Sequence, residues 1–421
     1  MSGEPAPRAA MGALGVLMGY WGYVDALNGA VAPFLAREFD LDDSGIAWAF
    51  GWMSFAAIGT FFLSRRADRL GRRRTLLLCL AALPPAALAS AAAPTLLVFV
   101  LVQLLAQGFK GALYTVAPVM VAEALPTERR AWGQSVVGFA GALGGGTALI
   151  LVAVCADLPG SWRWGWAAAA LPLAALPFVR NRLPESARFE RAVAAGETRR
   201  ARAHELLDSR YRRRTCGILI ATLLFTLAIV ATQTWLIYHP VRDLGMQPLL
   251  ATSAIIAGGA VGMLGFPLGG RLAESWGRRA TFTVATILYA PAAAGFYAVP
   301  ADSSIPPAVG LAIGFAAMST LTNIAAVALR ASQTELFPTR LRGTLLGWLA
   351  MAMAAATIGA QFAAGGLSLW LGGLAPAVSV LGVLMLPAAL AFMALVPETA
   401  GLGLEAAALE DDPDEISDPE R

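Results

Sequence analysis

Long apolar stretches, separated by short polar segments rich in arginine, run through almost the whole chain. Crossing the hydrocarbon core of a bilayer takes about 20 residues. Twelve stretches approach or exceed that length: 10–34, 44–64, 75–93, 95–122, 133–155, 164–180, 216–238, 250–270, 281–299, 305–330, 344–366 and 371–396. They lack the strict alternation of barrel strands, and a backbone in lipid must satisfy its own hydrogen bonds. The pattern therefore predicts an all-α membrane protein of twelve transmembrane helices. The polar segments divide it into a cytoplasmic lead 1–9, a six-helix bundle 10–180, an Arg-rich linker 181–214, a second six-helix bundle 215–397 and an acidic tail 398–421 expected to be disordered.

Charge fixes the orientation. Of 31 Lys and Arg, only Arg37, Arg163 and Arg242 fall in the loops of one side; Lys110 and Arg330 fall inside apolar stretches, and the rest lie at the termini and in the opposite loops. Positive residues stay cytoplasmic, so both termini are expected inside, in a multi-pass protein of the plasma (inner) membrane. Only 14% of residues are charged and 57% are hydrophobic, below the charged share of a soluble domain. The Arg-rich linker reads as a topology anchor rather than a nucleic-acid site. Cys79, Cys155 and Cys216 lack paired spacing, and His204 and His239 lack ligand-spaced partners, so no metal, no cofactor and no catalytic constellation are expected. His239 reads as a loop residue at the outer end of the seventh span. The only lysine is Lys110, so no phosphate-binding loop ending in Lys-Ser/Thr exists and ATP is not the direct fuel.

Three polar motifs each occur twice, roughly 200 residues apart. Ser64-x-x-x-Asp68-Arg69-x-Gly71-Arg72-Arg73 returns as Gly270-x-x-x-Glu274-Ser275-x-Gly277-Arg278-Arg279. Glu123-x-x-Pro126-Thr127-x-x-Arg130 returns as Glu335-x-x-Pro338-Thr339-x-x-Arg342, and Pro184-Glu185-Ser186 as Pro397-Glu398-Thr399. The chain is two similar halves in the same order, the plan of a secondary transporter built from parallel repeats with its site at their seam.

These motifs resemble those of the major facilitator superfamily, and the second and third pairs resemble its branch of sugar porters, metabolite–proton symporters and organic-ion transporters. The resemblance covers about residues 10–399. It implies two six-helix bundles, a cavity lined by spans one, four, seven and ten, and cytoplasmic ion pairs that latch the inner side shut. The gate residues so implied are Asp68, Arg72, Glu123, Arg130, Glu274, Arg278, Glu335 and Arg342. Arg330 either closes the cavity floor or snorkels to the cytoplasmic edge. The chain also departs from the pattern. Ser64 stands where the signature has glycine. Gln103 stands where proton-coupled sugar porters carry arginine, which tells against sugar. Span five holds Gly138, Gly141, Gly144, Gly145 and Gly146 without the Gly-Pro pair of drug–proton antiporters; close helix packing is the other use of such glycines.

The membrane interior holds two charges that need a partner or a task, since a charge at midplane costs about 2.5–3.5 kcal/mol even on the lenient insertion scale. Lys110 and Asp25 both lie roughly 20 Å from the cytoplasmic side at about 1.5 Å per residue, which predicts a pair between spans one and four. Gln103, Gln107, Lys110 and Tyr114 share one helical face, as do Trp21, Asp25 and Asn28. With Thr226 and Gln233 in span seven and Asn323 in span ten, they form the expected cavity lining, or alternatively an interhelical bonding network.

The expected function is secondary active transport of a small organic solute, an organic anion first, by proton symport with Asp25 as proton carrier and Lys110 as anion-binding cation. The expected partners are the substrate, protons and the bilayer, with no nucleic acid and no obligatory protein partner, so that a monomer suffices. A proton-coupled exporter or facilitator of a neutral or cationic solute is the alternative. A non-transporting membrane sensor would need an output domain, for which only the linker and tail are available.

Overall fold

The structure is a computed structural model, and it describes residues 5–125, 129–185, 203–300 and 306–400. All regular structure among them is helical. In chain order the helices are α1 (Pro5–Glu38), α2 (Asp43–Ser54), α3 (Ala56–Leu70), α4 (Arg72–Ala91), α5 (Leu96–Ala124), α6 (Arg130–Val154), α7 (Ser161–Ala168) and α8 (Leu176–Arg182). They continue as α9 (Ser209–Gln233), α10 (Pro248–Gly262), α11 (Gly265–Ser275), α12 (Arg278–Tyr297), α13 (Pro307–Glu335), α14 (Thr339–Leu371), α15 (Leu374–Gly382) and α16 (Met385–Leu395). Among the described residues ten helical stretches are long and apolar enough to cross a membrane. The first pass falls outside that set because the polar Asp25 and Asn28 and many glycines dilute α1. The sixth does so because it is broken into α7, a 3-10 turn at Leu171–Ala175 and α8. Together they make the twelve-helix membrane fold.

Several expected boundaries move. α1 starts at Pro5, so part of the 1–9 lead is helical. α9 starts at Ser209, inside the expected linker. It ends at Gln233 although the apolar run continues to Tyr238; the Thr232 carbonyl, which a continuing helix would use, accepts the Tyr297 hydroxyl instead. The linker segment 186–202 and the tail beyond residue 400 lie outside the described residues.

The chain divides into two compact units. The first comprises Met1–Thr198, Thr234–Ser253 and Ala364–Leu374; the second comprises Arg199–Gln233, Ala254–Ala363 and Ala375–Arg421. In the first unit, α1 lies against α6 so closely that side chains are excluded. A Cβ at Gly22 would stand 1.9 Å from the Gly141 carbonyl oxygen, and one at Gly144 1.9 Å from that of Gly19. The glycines of span five thus serve close backbone approach, which in lipid replaces the missing hydrophobic drive between helices. The second unit uses the same device between α10–α11 and α13, where Gly258, Gly262, Gly265 and Gly269 leave room for Ala312, Ser319, Thr320 and Ile324. Its interior is closed by a run of aromatic rings, Phe225, Phe282 and Phe392, with Phe282 and Phe392 centroids 4.3 Å apart.

Candidate functional site

In the first unit, α5 carries Lys110 and α1 carries Asp25. Lys110 Nζ donates to Asp25 Oδ1 across 2.8 Å. The protein leaves 14% of the Lys110 side chain and 50% of the Asp25 side chain uncovered. One helical turn from this pair lies a second contact between the same helices: the Trp21 and Tyr114 rings stack with centroids 4.6 Å apart at 26°. Both contacts follow from spacing, since Trp21 and Asp25, and Lys110 and Tyr114, are four residues apart and share a face. The result is an ionic rung beside an aromatic rung, with Tyr114 still 39% exposed. A charge-assisted hydrogen bond of this kind is strong, but each member can exchange its partner for a ligand of the same charge. Asn28 is buried next on the α1 face, and Gln107 is half-buried on the α5 face.

Gln103 corrects the expectation. It is fully buried and donates its amide to Ser90 Oγ at 2.9 Å. It fastens α5 to α4 and lines no open surface. His239 is a correction too: it is buried in a π-helical turn, His239–Asp243, with Nδ1 2.8 Å from Asp243 Oδ2.

In the second unit, Gln233 ends α9 and donates to Thr322 Oγ1 of α13 at 3.2 Å. Beside it the Thr232 and Tyr289 hydroxyls are 2.5 Å apart, and the Tyr297 hydroxyl donates to the Thr232 carbonyl. Asn323 donates to the Gly262 carbonyl at 3.0 Å, at the break between α10 and α11. Thr226 is half-buried and Arg330 is exposed on α13. The hydroxyls of Thr232, Tyr289 and Tyr297 were not legible as a group. Only an eight-residue spacing, which places Tyr289 and Tyr297 near one face of α12, hinted at them.

The three duplicated motifs converge at one point in each unit. Glu123 pairs with Arg72, and Glu335 Oε1 pairs with Arg278 at 3.0 Å. The third motif supplies the cap of the helix that follows the first. Glu185 Oε1 accepts from the backbone N–H groups of Arg72 and Arg73 at 3.0 and 3.1 Å, and the Glu398 carboxylate accepts from those of Arg278 and Arg279 at 2.9 Å each. Those groups are the orphan donors of a helix N-terminus, which favours an anion. The glycines before the two helices have φ of +106° at Gly71 and +93° at Gly277; a Cβ at Gly277 would stand 2.4 Å from the Glu398 carboxylate. Thr399 Oγ1 donates to Glu335 Oε2 at 2.5 Å, closing the network. Burial raises the proton affinity of Glu398. Its backbone donors Ala400, Arg279, Arg278 and Thr399 outweigh that and hold its carboxyl below the usual range. Each ion pair is internal to its own unit, Arg72–Glu123 to the first and Arg278–Glu335 to the second. Arg342 turns its Nε back to the Phe337 carbonyl at 2.9 Å, and Glu274 is exposed. The Asp68 and Arg130 side chains lie outside the described residues. Among the described residues no three His, Cys, Asp or Glu side chains gather as metal ligands.

The family model described as "Major Facilitator Superfamily" matches residues 10–358, most of the chain. The gallate transporter of Pseudomonas putida is 28% identical over 411 residues, covering 89% of this chain and 88% of its own. The gentisate transporter of Corynebacterium glutamicum is 26% identical over 349 residues, covering 79% and 76%. Among solved structures, the inward open xylose transporter XylE from E. coli superposes with a TM-score of 0.70 at 17% identity, covering 95% of this chain and 98% of that one. A D-xylose-proton symporter gives 0.70 at 19% identity, covering 93% and 98%. At these identities the structures speak for the fold.

Proposed function

Because the chain belongs to the major facilitator superfamily, whose members are transporters and not enzymes, we propose that it carries a small aromatic carboxylate across the membrane together with a proton. The observation that carries this reading is the Lys110–Asp25 ion pair set one turn from the Trp21–Tyr114 stack. An ammonium recognises a carboxylate, and Tyr114, four residues further along the same helix and 39% exposed, offers an aromatic ring to an arene. Relatives that carry gallate and gentisate, both hydroxybenzoates, support the same substrate class.

The ion pair supplies the coupling. An incoming carboxylate takes Lys110 from Asp25. Asp25 then lacks its counter-ion and takes up a proton, so anion and proton load together and cancel each other's charge in a low-dielectric site. Linkage makes the effect reciprocal: a protonated Asp25 frees Lys110 and tightens anion binding. The arrangement of Lys and Arg supports a protein of the plasma membrane with both termini and the motif-bearing loops in the cytoplasm, acting as a monomer. The Glu123–Arg72 and Glu335–Arg278 networks act as the inner latch by bracing the helix ends that must move.

The greater exposure of Asp25 favours a second reading, in which a cationic solute meets Asp25 and Lys110 is its resting counter-ion. Uptake into proteoliposomes separates them. With an inward proton gradient, radiolabelled gallate or gentisate should accumulate above equilibrium, and an aliphatic amine should not. Accumulation of the amine instead, or of neither acid, overturns the proposal.

A further inference from the structure

One end of the first unit carries arginines that the internal repeat does not account for. Arg72 and Arg73 open α4 as Arg278 and Arg279 open α12, each pair capped by a glutamate of the third motif. The next position differs: it is Arg74 in the first half and Ala280 in the second. Arg180 and Arg182 precede Pro184-Glu185 just as Met393 and Leu395 precede Pro397-Glu398. Three arginines thus stand only in the first half. A demand of the duplicated network, or of the charge rule for membrane orientation, applies to both halves alike.

The fold brings the three to one junction. Arg73 reaches from α4 to the end of α8, donating Nη2 to the Arg180 carbonyl at 2.8 Å and Nε to the Leu183 carbonyl at 2.7 Å. It takes carbonyls that a helix C-terminus leaves without a partner, so the side chains of Arg180 and Arg182 are not needed there. Those two and Arg74 are exposed, and among the described residues no carboxylate pairs with any of them. Below the arginines the surface is apolar. Arg74 and Leu78 share a face of α4, and Arg182 and Phe178 share a face of α8. Leu78 and Phe178 lie one turn deeper in their spans, each 38% exposed. The Arg182 guanidinium lies over the Phe178 ring, 4.5 Å from its centroid, which sets its charge at the edge of that surface. Leu173, also exposed, continues the surface along the broken sixth pass. The second half has Ala391 at the repeat position of Phe178.

We propose that this junction binds an anionic phospholipid, with Arg74, Arg180 and Arg182 on the headgroup phosphate and Leu78, Phe178 and Leu173 along an acyl chain. The occupant follows from the order of the surface. A cationic rim at the helix ends, with exposed apolar side chains next to it inside the spans, matches a molecule whose phosphate and hydrocarbon are joined in that order. Guanidinium forks suit phosphate oxygens, and basic pockets between the ends of membrane helices recognise anionic headgroups. A soluble anion uses the arginines and leaves the apolar surface idle. The inference depends neither on which solute is carried nor on which side of the membrane this end faces.

Native mass spectrometry of the purified full chain in neutral detergent, titrated with phosphatidylglycerol, phosphatidylcholine or glycerol 3-phosphate, tests this. The parent should hold one phosphatidylglycerol about tenfold or more tighter than phosphatidylcholine, and no glycerol 3-phosphate at the same concentrations. Arg74→Ala, Arg180→Met and Arg182→Leu together install the residues that the second half carries at its own junction, a change the architecture already accommodates. That variant should lose the preference for phosphatidylglycerol. Arg182→Gln alone should weaken it severalfold, so the test survives if the triple variant does not fold. Arg212→Gln, Arg242→Gln and Arg271→Gln together remove the same charge from exposed sites elsewhere and should keep the preference. Equal retention of the two lipids by the parent, an undiminished preference in Arg182→Gln protein, an equal loss in the control variant, or equal binding of glycerol 3-phosphate overturns the proposal.

Discussion

Lys110 and Asp25, from helices separated in the chain by three others, share a 2.8 Å hydrogen bond, and each is the i+4 or i−4 neighbour of an aromatic residue that stacks across the same two helices. The charged pair and the stacked rings are thereby both carried by one pair of helices rather than by loops.

The first prediction follows from that bond. Asp25→Asn keeps a side chain that fits beside Lys110 but carries no titratable proton. It should retain exchange of labelled for unlabelled hydroxybenzoate across the membrane and lose accumulation driven by a proton gradient. Paired counterflow and gradient-driven uptake on one preparation measure this; accumulation in the variant removes Asp25 from the coupling.

Lys110→Ala should abolish anion binding, because it leaves Asp25 alone to repel a carboxylate. A tenfold or larger rise in Kd is expected, about 1.4 kcal/mol or more. Lys110→Arg should also bind poorly, since a planar fork cannot occupy the place of a compact ammonium. Ligand-induced shifts in melting temperature give the measurement, and Tyr114→Leu tests the aromatic rung by weakening benzoates more than aliphatic acids.

Helix packing in the first unit gives a paired test. Gly144→Ala drives a methyl group into the Gly19 carbonyl, a backbone atom that cannot yield without moving α1 from α6. It should cost about 1–3 kcal/mol and lower the melting temperature in detergent. Gly138→Ala on the same helix meets nothing within 4 Å and should leave the melt unchanged or slightly raised.

Glu398 carries a pH dependence. Its carboxyl is held below the ordinary value, so in acid the unfolded state binds a proton that the folded state does not. The stabilisation is therefore complete at neutral pH and is lost as the pH falls below the usual value of about 4.3 toward the lower folded one. Glu398→Gln should cost about 1 kcal/mol at pH 7, the scale of a helix cap. The gap between parent and variant melts should narrow as the pH is lowered to about 4, and a gap independent of pH would show that the charge is idle.

The sequence determined the membrane fold, the count of passes and the two-fold repeat, and the physical reason is that all three are local or periodic. The bilayer imposes a length on each apolar run, and arginine placement imposes a side. Duplication preserves the spacing of Glu123 and Arg130 in Glu335 and Arg342. It also made Lys110 and Asp25 stand out, because a charge in an apolar run is costly and their depths could be counted at a known rise per residue. Tertiary structure decided what those residues touch. Gln103 shares a helical face with Lys110, yet Ser90 on α4 claims it, since facing depends on which neighbour packs there and not on spacing alone. The end of α9 at Gln233 is set by a tyrosine more than sixty residues away that takes the Thr232 carbonyl. The three motifs became one device per unit only when Glu185 and Glu398 closed onto helix N-termini from the far end of each half. Hydrogen bonds between residues so distant leave no period in the chain, so only the folded arrangement could reveal them.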